Sequence, residues 1–293
     1  MLLGAAQLIK NHEDELCGQI KLMFQPAEET LWGAKAMIEA GALDSPKVDA
    51  AMMLHVLPGT HTPTGCVAVY EDGAASAASD WFKIIVTGKG SHGAKPNEGV
   101  DPINVLVHIY LSLQTINARE IAPDEPLALT VGQIQAGTAR NVIPESAFMY
   151  GTLRTFSERT RKFVVDRIFE ISGGVASSLR ATATVEHASG CPSVIVDKEV
   201  NDDVIRYLAD LLGADKVVDM KSATGSPKSS GSEDFAFISG LVPSTRLSIL
   251  AGSVEEGHGF GSHHPRTSFN EDALTVGAAV YANTAMRWLI EHS

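Results

Sequence analysis

Apolar positions along the chain follow two rhythms, one of period 3.6 and one of period 2. Leu2, Leu3, Ala6, Leu8 and Ile9 recur at helical spacing. They predict an opening helix that runs on toward Leu16 and ends near Cys17-Gly18, with no capping residue ahead of it. Residues 20–24 read as a strand, 31–40 as a helix closed by Gly41, 48–56 as a second buried strand and 64–70 as a further short one. Strands alternating with helices imply a mainly parallel sheet. After the small-residue stretch 73–79 the pattern changes to β-α-β-β-α-β. Residues 81–87 form a strand, and Asp101 caps a helix with Pro102 at its first position and Ile103, Leu106, Tyr110 and Leu113 on its apolar stripe. Leu127, Leu129 and Val131 alternate as a strand with 147–155 as its partner. Val164, Ile168, Ile171, Val175 and Leu179 make a second helical stripe, and 182–187 closes the unit as a ferredoxin-like split βαβ insert. The α/β pattern then resumes: a helix at 204–212, a Ser/Gly-rich loop at 221–231, a short helix at 233–239 capped by Ser232, a strand at 245–250, and a long closing helix capped by Asn270. The predicted domains are 1–79 and 191–293, together an α/β domain, interrupted by 80–190.

Composition narrows the class. The length of 293 residues suits one large domain or two smaller ones, and the net charge of −12, with no Lys/Arg block, argues against nucleic acid as a partner. Cys17, Cys66 and Cys191 form no framework, which fits a reducing compartment. The start lacks a basic, then apolar, leader pattern, and no apolar run is long enough to span a bilayer. The expected location is the cytoplasm, away from membranes.

Five polar clusters fall in loops or at strand ends. In Phe24-Gln25-Pro26-Ala27-Glu28-Glu29 an apolar run ends in Pro and two acids follow, at a strand's carboxyl end where open α/β sheets place ligands. Adjacent residues project differently, so one Glu can bind a metal while the other moves protons; acids also simply favour a helix N-terminus. His55 ends an apolar strand, as a ligand or as a satisfied core histidine. His92 sits in a glycine-flanked turn. Asn141 and Arg154 have the chemistry to hold a carboxylate, or belong to a surface loop and an edge strand. His258, His263 and His264 share a Gly-rich loop. A His and a Glu from successive strand ends, with a His from a distant loop, can converge on one ion. A second Glu beside them is pushed up in pKa by desolvation and its acidic neighbour, pushed down by the cation, and able to take a proton from water that the metal has acidified. That is equipment for hydrolysing an amide. No Gly-x-Ser-x-Gly elbow, Walker loop or Cys-x-x-Cys pair is present.

Taken in order, Phe24-Gln25-Pro26-Ala27-Glu28-Glu29, Leu54-His55-Val56, Ser91-His92-Gly93-Ala94 with Gly99-Val100-Asp101-Pro102, Asn141-Val142-Ile143-Pro144, Gly151-Thr152-Leu153-Arg154, Gly231-Ser232-Glu233-Asp234-Phe235 and His263-His264-Pro265 make the chain resemble, over essentially its whole length, the amidohydrolase branch of peptidase family M20. That branch holds aminoacylases, hippurate hydrolases, indoleacetyl-amino-acid hydrolases and related carboxypeptidases. The resemblance implies a metal-binding α/β domain interrupted by a smaller α+β domain that acts as a lid and forms a homodimer through 80–190. It implies Glu28 as general base and Glu29, His55 and His263 as metal ligands. His264 stands where the family often has Ser or Asn, so it is the weaker ligand candidate. His92 matches a lid histidine that helps polarise the scissile carbonyl, and Asn141 and Arg154 match lid residues near the substrate carboxylate. The implied cofactor is a divalent metal, zinc or manganese, with cobalt and nickel as further candidates. The implied reaction is cleavage of the amide of an N-acyl amino acid or similar small amide by metal-activated water.

Family members also carry a Cys-Gly-His-Asp-x-His motif just before the segment matching Met1-Leu2-Leu3-Gly4-Ala5-Ala6, and it supplies two further ligands. It does not occur here; Cys17-Gly18 is followed by Gln19-Ile20 and is no substitute. The expectation is a chain lacking the family's N-terminal portion, with a two-ion site reduced to one ion or none and with sheet edges left open to aggregation. The alternative function is a non-catalytic fragment or relic that only dimerises.

Overall fold

The computed structural model describes residues 1–293, Ser189 by its backbone alone. Helix α1 (Leu2–Asn11) buries Ala5 and Ile9 against Ala282. It stops short of the predicted Leu16 because Glu13, Asp14 and Glu15 follow, and they tighten into a 3-10 turn. Three acids are unfavourable at the negative end of a helix. Next come α2 (Gly33–Glu39), β1 (Ala51–Leu57), β2 (Val67–Val69) and β3 (Gly73–Ala74). They are followed by β4 (Ala78–Thr87), β5 (Ser91–His92), α3 (Pro102–Thr115), β6 (Leu127–Ala136), β7 (Val142–Ile143), β8 (Ser146–Thr155), α4 (Glu158–Ser178) and β9 (Thr182–Cys191). The chain closes with β10 (Ile195–Val196), α5 (Lys198–Leu212), β11 (Val217–Asp219), α6 (Met220–Thr224), α7 (Ala236–Ser239), β12 (Ser244–Leu250) and α8 (Asp272–Glu291).

Two compact units result, Met1–Ser76 with Val194–Ser293, and Ala77–Ser193. In the first, a mostly parallel sheet runs β1-β12-β2-β11: β1 and β12 are parallel, as are β2 and β11, and β12 meets β2 antiparallel. Side chains alternate between its faces. Leu54, Val67, Leu247 and Ile249 pack on one side with Val200, Val204 and Leu208 of α5 and Val280 of α8. Ala68, Tyr70 and Leu250 pack on the other with Ala34 of α2 and with Phe235 and Ile238 around α7. Buried Asn201 fastens α5 to the sheet, donating to the Tyr70 carbonyl at 2.9 Å and accepting from Thr245 Oγ1 at 2.6 Å. Asn270, the predicted cap of the closing helix, accepts from the Asp272 N–H at 3.0 Å, but the residue at the cap position of α8 is Glu271, whose side chain makes no capping bond.

Two predicted elements of this unit differ. Residues 20–24 form no strand. Strand β1 ends the sheet, and residues 20–23 lie across a largely apolar cavity of about 430 Å³ from it, with Met52, Leu54, Tyr281 and Trp288 also in the lining. A ladder needs a partner within hydrogen-bonding distance, and the cavity separates the two segments. The predicted helix 233–239 shrinks to α7, which Ser232 does not cap. Glu233 and Asp234 turn inward instead, 3% and 0% exposed, so the helix begins only at Ala236.

In the second unit the antiparallel order β6-β8-β4-β9 with two crossing helices is the ferredoxin-like arrangement. Asp101 caps α3 by accepting from the Ile103 N–H at 2.9 Å, and Ser157 caps α4 through the Thr160 N–H at 3.3 Å. The core joins Ile84, Val86, Met149 and Leu153 of the sheet to Leu106, Ile109, Val164 and Ile168 of the helices. Asp80, 1% exposed, accepts from Arg161 Nε at 2.6 Å and Nη2 at 2.8 Å, and from His187 Nε2 at 2.9 Å. Among the described residues no helix is long and apolar enough to cross a membrane. Asp80→Ala leaves the Arg161 guanidinium without its buried carboxylate and should cost about 3–5 kcal/mol, read by urea denaturation. A loss under about 1 kcal/mol would mean that Arg161 is compensated elsewhere.

Candidate active site

The Glu28-Glu29 turn is held from both sides. It is a 3-10 turn, Glu28–Thr30, flanked by Ala27 and Leu31 in the left-handed region with φ of 55° and 56°. Side chains there cost about 1–2 kcal/mol each, and non-glycine residues keep such angles only where the surroundings impose them. A Cβ on Gly33 would lie 1.6 Å from the Pro26 carbonyl oxygen, so only glycine lets α2 begin this close to the turn. The buried Asp234 carboxylate accepts from the Ala34 N–H at 2.8 Å and from the Gln25 side-chain amide, binding the two ends of the turn to the α7 loop.

His55 lies toward the carboxyl end of β1, on the sheet face shared with Met53 and Leu57. Its Nδ1 donates to the Val56 carbonyl at 2.8 Å, which leaves Nε2 as the free lone pair. Burial, with the positive charge of Arg246, lowers its pKa, so the imidazole is held neutral, the form that binds metals. His263 stands in the left-handed region at φ 65°, with Nδ1 3.9 Å from the Glu29 carboxylate. Among the described residues, three of the four non-glycine residues with positive φ, Ala27, Leu31 and His263, therefore frame this region. His264 is engaged elsewhere. Its ring stacks on Phe260 at 4.3 Å between centroids, and the Arg266 guanidinium lies 4.1 Å over the same Phe260 ring.

Of the three expected ligands, Glu29 and His263 approach each other directly, and both act electrostatically on His55. Among the described residues the tightest group of ligand-type atoms is a different one: Glu28, Glu233 and Asp234, mutually within 4.8 Å. Asp234 is already engaged by Ala34 and Gln25, and Glu233 accepts from the Phe235 N–H at 3.3 Å. This trio is better understood as an acidic wall around Glu28 than as an open ligand set. Burial first, then the charges of Glu233, Glu29 and Asp234, push the Glu28 carboxyl up to about 7, against an opposing pull from Arg246. Burial also raises Glu233, and it raises Asp234 against the hydrogen bonds that hold the latter ionised. Sequence reasoning assigned no role to Glu233, Asp234 or Arg246. The available signal was an acid pair between a Ser/Gly loop and an apolar run, and a lone Arg inside an apolar strand.

In the second unit, β5 and β7 pair antiparallel, with His92 opposite Val142 and the Gly93 N–H donating to the Asn141 carbonyl at 2.8 Å. His92 Nδ1 accepts from the Ala94 N–H at 3.1 Å, which places the ring proton on Nε2. Arg154 lies near the far end of β8, paired with Ser79 and Ala128, eight residues along the strand from Ser146. The structure thus brings His92 and Asn141 together and sets Arg154 apart from them.

The turn of acids and imidazoles on the α/β sheet gathers groups of metal-ligand type, and comparison with known proteins gives the chain a family. The profile of Peptidase family M20/M25/M40 matches residues 1–287, and the chain belongs to that family. It is 35% identical over 295 residues to IAA-amino acid hydrolase ILR1-like 4 of Arabidopsis thaliana, covering 99% of this chain and 64% of that protein. It is 35% identical over 288 residues to N-acetyl-L-cysteine deacetylase of Bacillus subtilis, covering 98% and 65%. The solved Bacillus subtilis YXEP protein, described as a dinuclear metal binding peptidase, superposes with a TM-score of 0.79 at 29% identity, covering 99% of this chain and 70% of that one. The chain therefore spans 64% and 65% of the length of those two sequence relatives.

Two consequences are measurable. Gly33→Ala should displace the turn against Pro26 and cost about 3 kcal/mol or more, seen as a fall in thermal midpoint together with weaker Mn²⁺ binding by calorimetry; unchanged values for both would show that the turn can relax. The second concerns pH. Glu28 binds its proton up to about pH 7 in the folded chain against an ordinary value of 4.5. Its contribution to stability is therefore complete below the lower value and is lost as pH rises through the upper one. In chelator-containing buffer Glu28→Gln should flatten this loss, gaining about 1–2 kcal/mol over wild type between pH 5 and pH 8, less than a full conversion because Glu28 is partly open to solvent. Parallel stability curves for the two proteins would exclude the elevated pKa.

Proposed function

We propose that this chain is a metal-dependent amidohydrolase that cleaves the amide bond of N-acyl amino acids or similar small amides. One observation carries the reading: a Glu with its pKa near neutrality sits in a constrained turn, next in sequence to a second Glu that faces His263, with a neutral His55 nearby. The relatives act on this chemistry, as their names state: an amino-acid conjugate of IAA and an N-acetylated cysteine.

The donor set fits a divalent ion. Glu29 offers a carboxylate, His55 a free Nε2 and His263 an exposed imidazole, a combination suited to zinc or manganese. Such an ion, when bound, supplies Lewis-acid polarisation of the carbonyl and of water. The chain's own residues do the rest. Glu28 takes the proton of the attacking water and returns it to the departing nitrogen, a role that needs a pKa near the working pH. His92, protonated on Nε2, donates to the carbonyl oxygen as charge develops there. Asn141, held beside His92 by the β5–β7 pair, serves as a donor for the substrate carboxylate.

Ala77–Ser193 acts as lid and homodimer surface in this reading. Helix α3 supports the second role: Ile103, Val107 and Leu111, 38%, 47% and 56% exposed, recur every four residues along it and form an apolar stripe open to a partner. The chemistry and the cysteine usage suit a cytoplasmic protein.

The test is hydrolysis of N-acetyl- and N-benzoyl-amino acids with added Mn²⁺ or Zn²⁺. Turnover should vanish with chelator and return with metal. Glu28→Gln should lower kcat by about 10²–10⁴-fold while the metal content per chain stays at the wild-type level. Full turnover in that variant would remove Glu28 as the base, and a metal-loaded wild type that cleaves nothing would favour the non-catalytic reading.

A further inference from the structure

Glu28 borders a cavity of about 430 Å³ inside the first unit. Its walls come from five parts of the chain: Leu2 of α1, Leu22 of segment 20–23, Met52 of β1, Val204 of α5 and Leu289 of α8. Hydrogen bonds fix these walls in place. Lys21 Nζ donates to the carbonyls of Ala42 at 2.8 Å and Pro46 at 2.9 Å, which anchors segment 20–23. The Leu54 N–H donates to the Tyr281 hydroxyl at 2.9 Å, which holds α8 against β1. Water in a buried space needs two to four polar partners, so an apolar cavity stays dry and takes up apolar guests instead; about 150 Å³ of such space suffices for benzene. The present cavity falls within the range of about 300–1,000 Å³ typical of small-molecule pockets.

The polar lining is unevenly placed. Gln25, Glu28 and Glu233 stand together: Gln25 is bonded to Asp234, and both glutamates lie with Asp234 within 4.8 Å of one another. Lys21 is engaged by its two carbonyls, and Lys47 and Asp49, also in the lining, are exposed and opposite in charge. One edge of the cavity is thus the Glu28 carboxyl with its acidic neighbours, and the greater part of the rest is hydrocarbon. An N-acyl amino acid has two unlike ends. The amino-acid end carries a carboxylate, which is costly to desolvate in apolar surroundings and which Glu28 and Glu233 repel. The acyl end is uncharged. With the scissile amide beside Glu28, the acyl end is the one that suits the cavity.

We infer that this cavity is an acyl pocket: it takes the apolar acyl group of an N-acyl amino acid, keeps the carboxylate outside, and selects medium-chain or aryl acyl groups over acetyl. The substrate preference rests on the amidohydrolase reading; the uptake of an uncharged apolar chain by the cavity does not.

The test compares wild type with Ala285→Phe on α8 and Ala50→Leu ahead of β1, two substitutions that fill the cavity from different walls. In the Mn²⁺-supplemented assay, kcat/KM should rise about threefold for each CH₂ added from N-acetyl- to N-hexanoylglycine, mainly through a falling KM. Ala285→Phe should lose about tenfold or more on N-hexanoylglycine and stay within about twofold of wild type on N-acetylglycine. Equal cleavage of the two substrates by wild type overturns the inference, and so does an equal loss on both in Ala285→Phe. Binding is read separately, with octanamide and metal-free protein. Calorimetry should show one site per chain in wild type, a raised thermal midpoint, and loss of both effects in Ala285→Phe. No octanamide binding by wild type, or unchanged binding by Ala285→Phe, overturns the inference whether or not the chain turns over. A dimer that Ala285→Phe dissociates also overturns it, by giving the cavity to a second copy. If no acyl-glycine is cleaved, the amidohydrolase reading fails, and the octanamide results alone decide for or against the pocket. If Ala285→Phe does not fold, Ala50→Leu takes its place with the same expected outcomes.

Discussion

The buried carboxylate of Asp234 ties together three stretches of chain that are far apart in sequence. Its two oxygens accept from the Gln25 side chain ahead of the Glu28–Glu29 turn and from the Ala34 N–H behind it, while its own backbone belongs to the loop leading into α7. Ionised, it can make both bonds at once; an amide or hydroxyl in its place would offer only one acceptor or a weaker one. The close approach of Gly33 to Pro26 and the left-handed angles at Ala27 and Leu31 are the strain this clamp holds. Everything proposed for Glu28 and Glu29 depends on that turn keeping its shape.

The charge arrangement follows from the same clamp. Once Asp234 is buried against the turn, Glu233 is buried with it, and Glu28 is left near two acids. Desolvation and mutual repulsion then move Glu28 toward neutrality. A buried cation on the sheet beneath limits how far the shift goes. On the other side of the turn, Glu29 faces outward to His263. Two adjacent residues thus experience opposite surroundings, one among anions and one beside an imidazole, which suits the two separate roles proposed for them.

Much of this was legible in the sequence where a local rule decides the outcome. The cap at Asp101 and the alternating strands of the insert rest on neighbouring residues and appear as read. So do Leu106 and Leu113 of the α3 stripe, while Ile103 of that stripe faces outward and Val105 and Ile109 are buried instead. Elements that depend on distant partners were not legible. Residues 20–24 have the composition of a strand but find no strand edge to pair with. Glu233 and Asp234 look like the first turn of a helix, and tertiary contacts with Gln25 and Ala34 override that propensity. For the site, Glu28, Glu29, His55 and His263 drew notice through spacing and residue type. The acidic wall and Arg246 did not, because burial and charge opposition arise only when three loops and a strand fold together.

The left-handed residues on either side of Glu28–Glu29, and at His263 itself, have a consequence for how quickly the site can respond. A carboxylate on an ordinary flexible loop must lose conformational freedom each time an ion or substrate arrives. For the Glu28–Glu29 turn that ordering is completed during folding, because Asp234 holds both of its ends through Gln25 and Ala34. Arrival of a ligand is then followed by side-chain rotations alone, on the picosecond-to-nanosecond scale of exposed rotamers rather than the slower scale of loop rearrangement. The rigidity that raises the cost of folding this turn is what removes a conformational step from its chemistry.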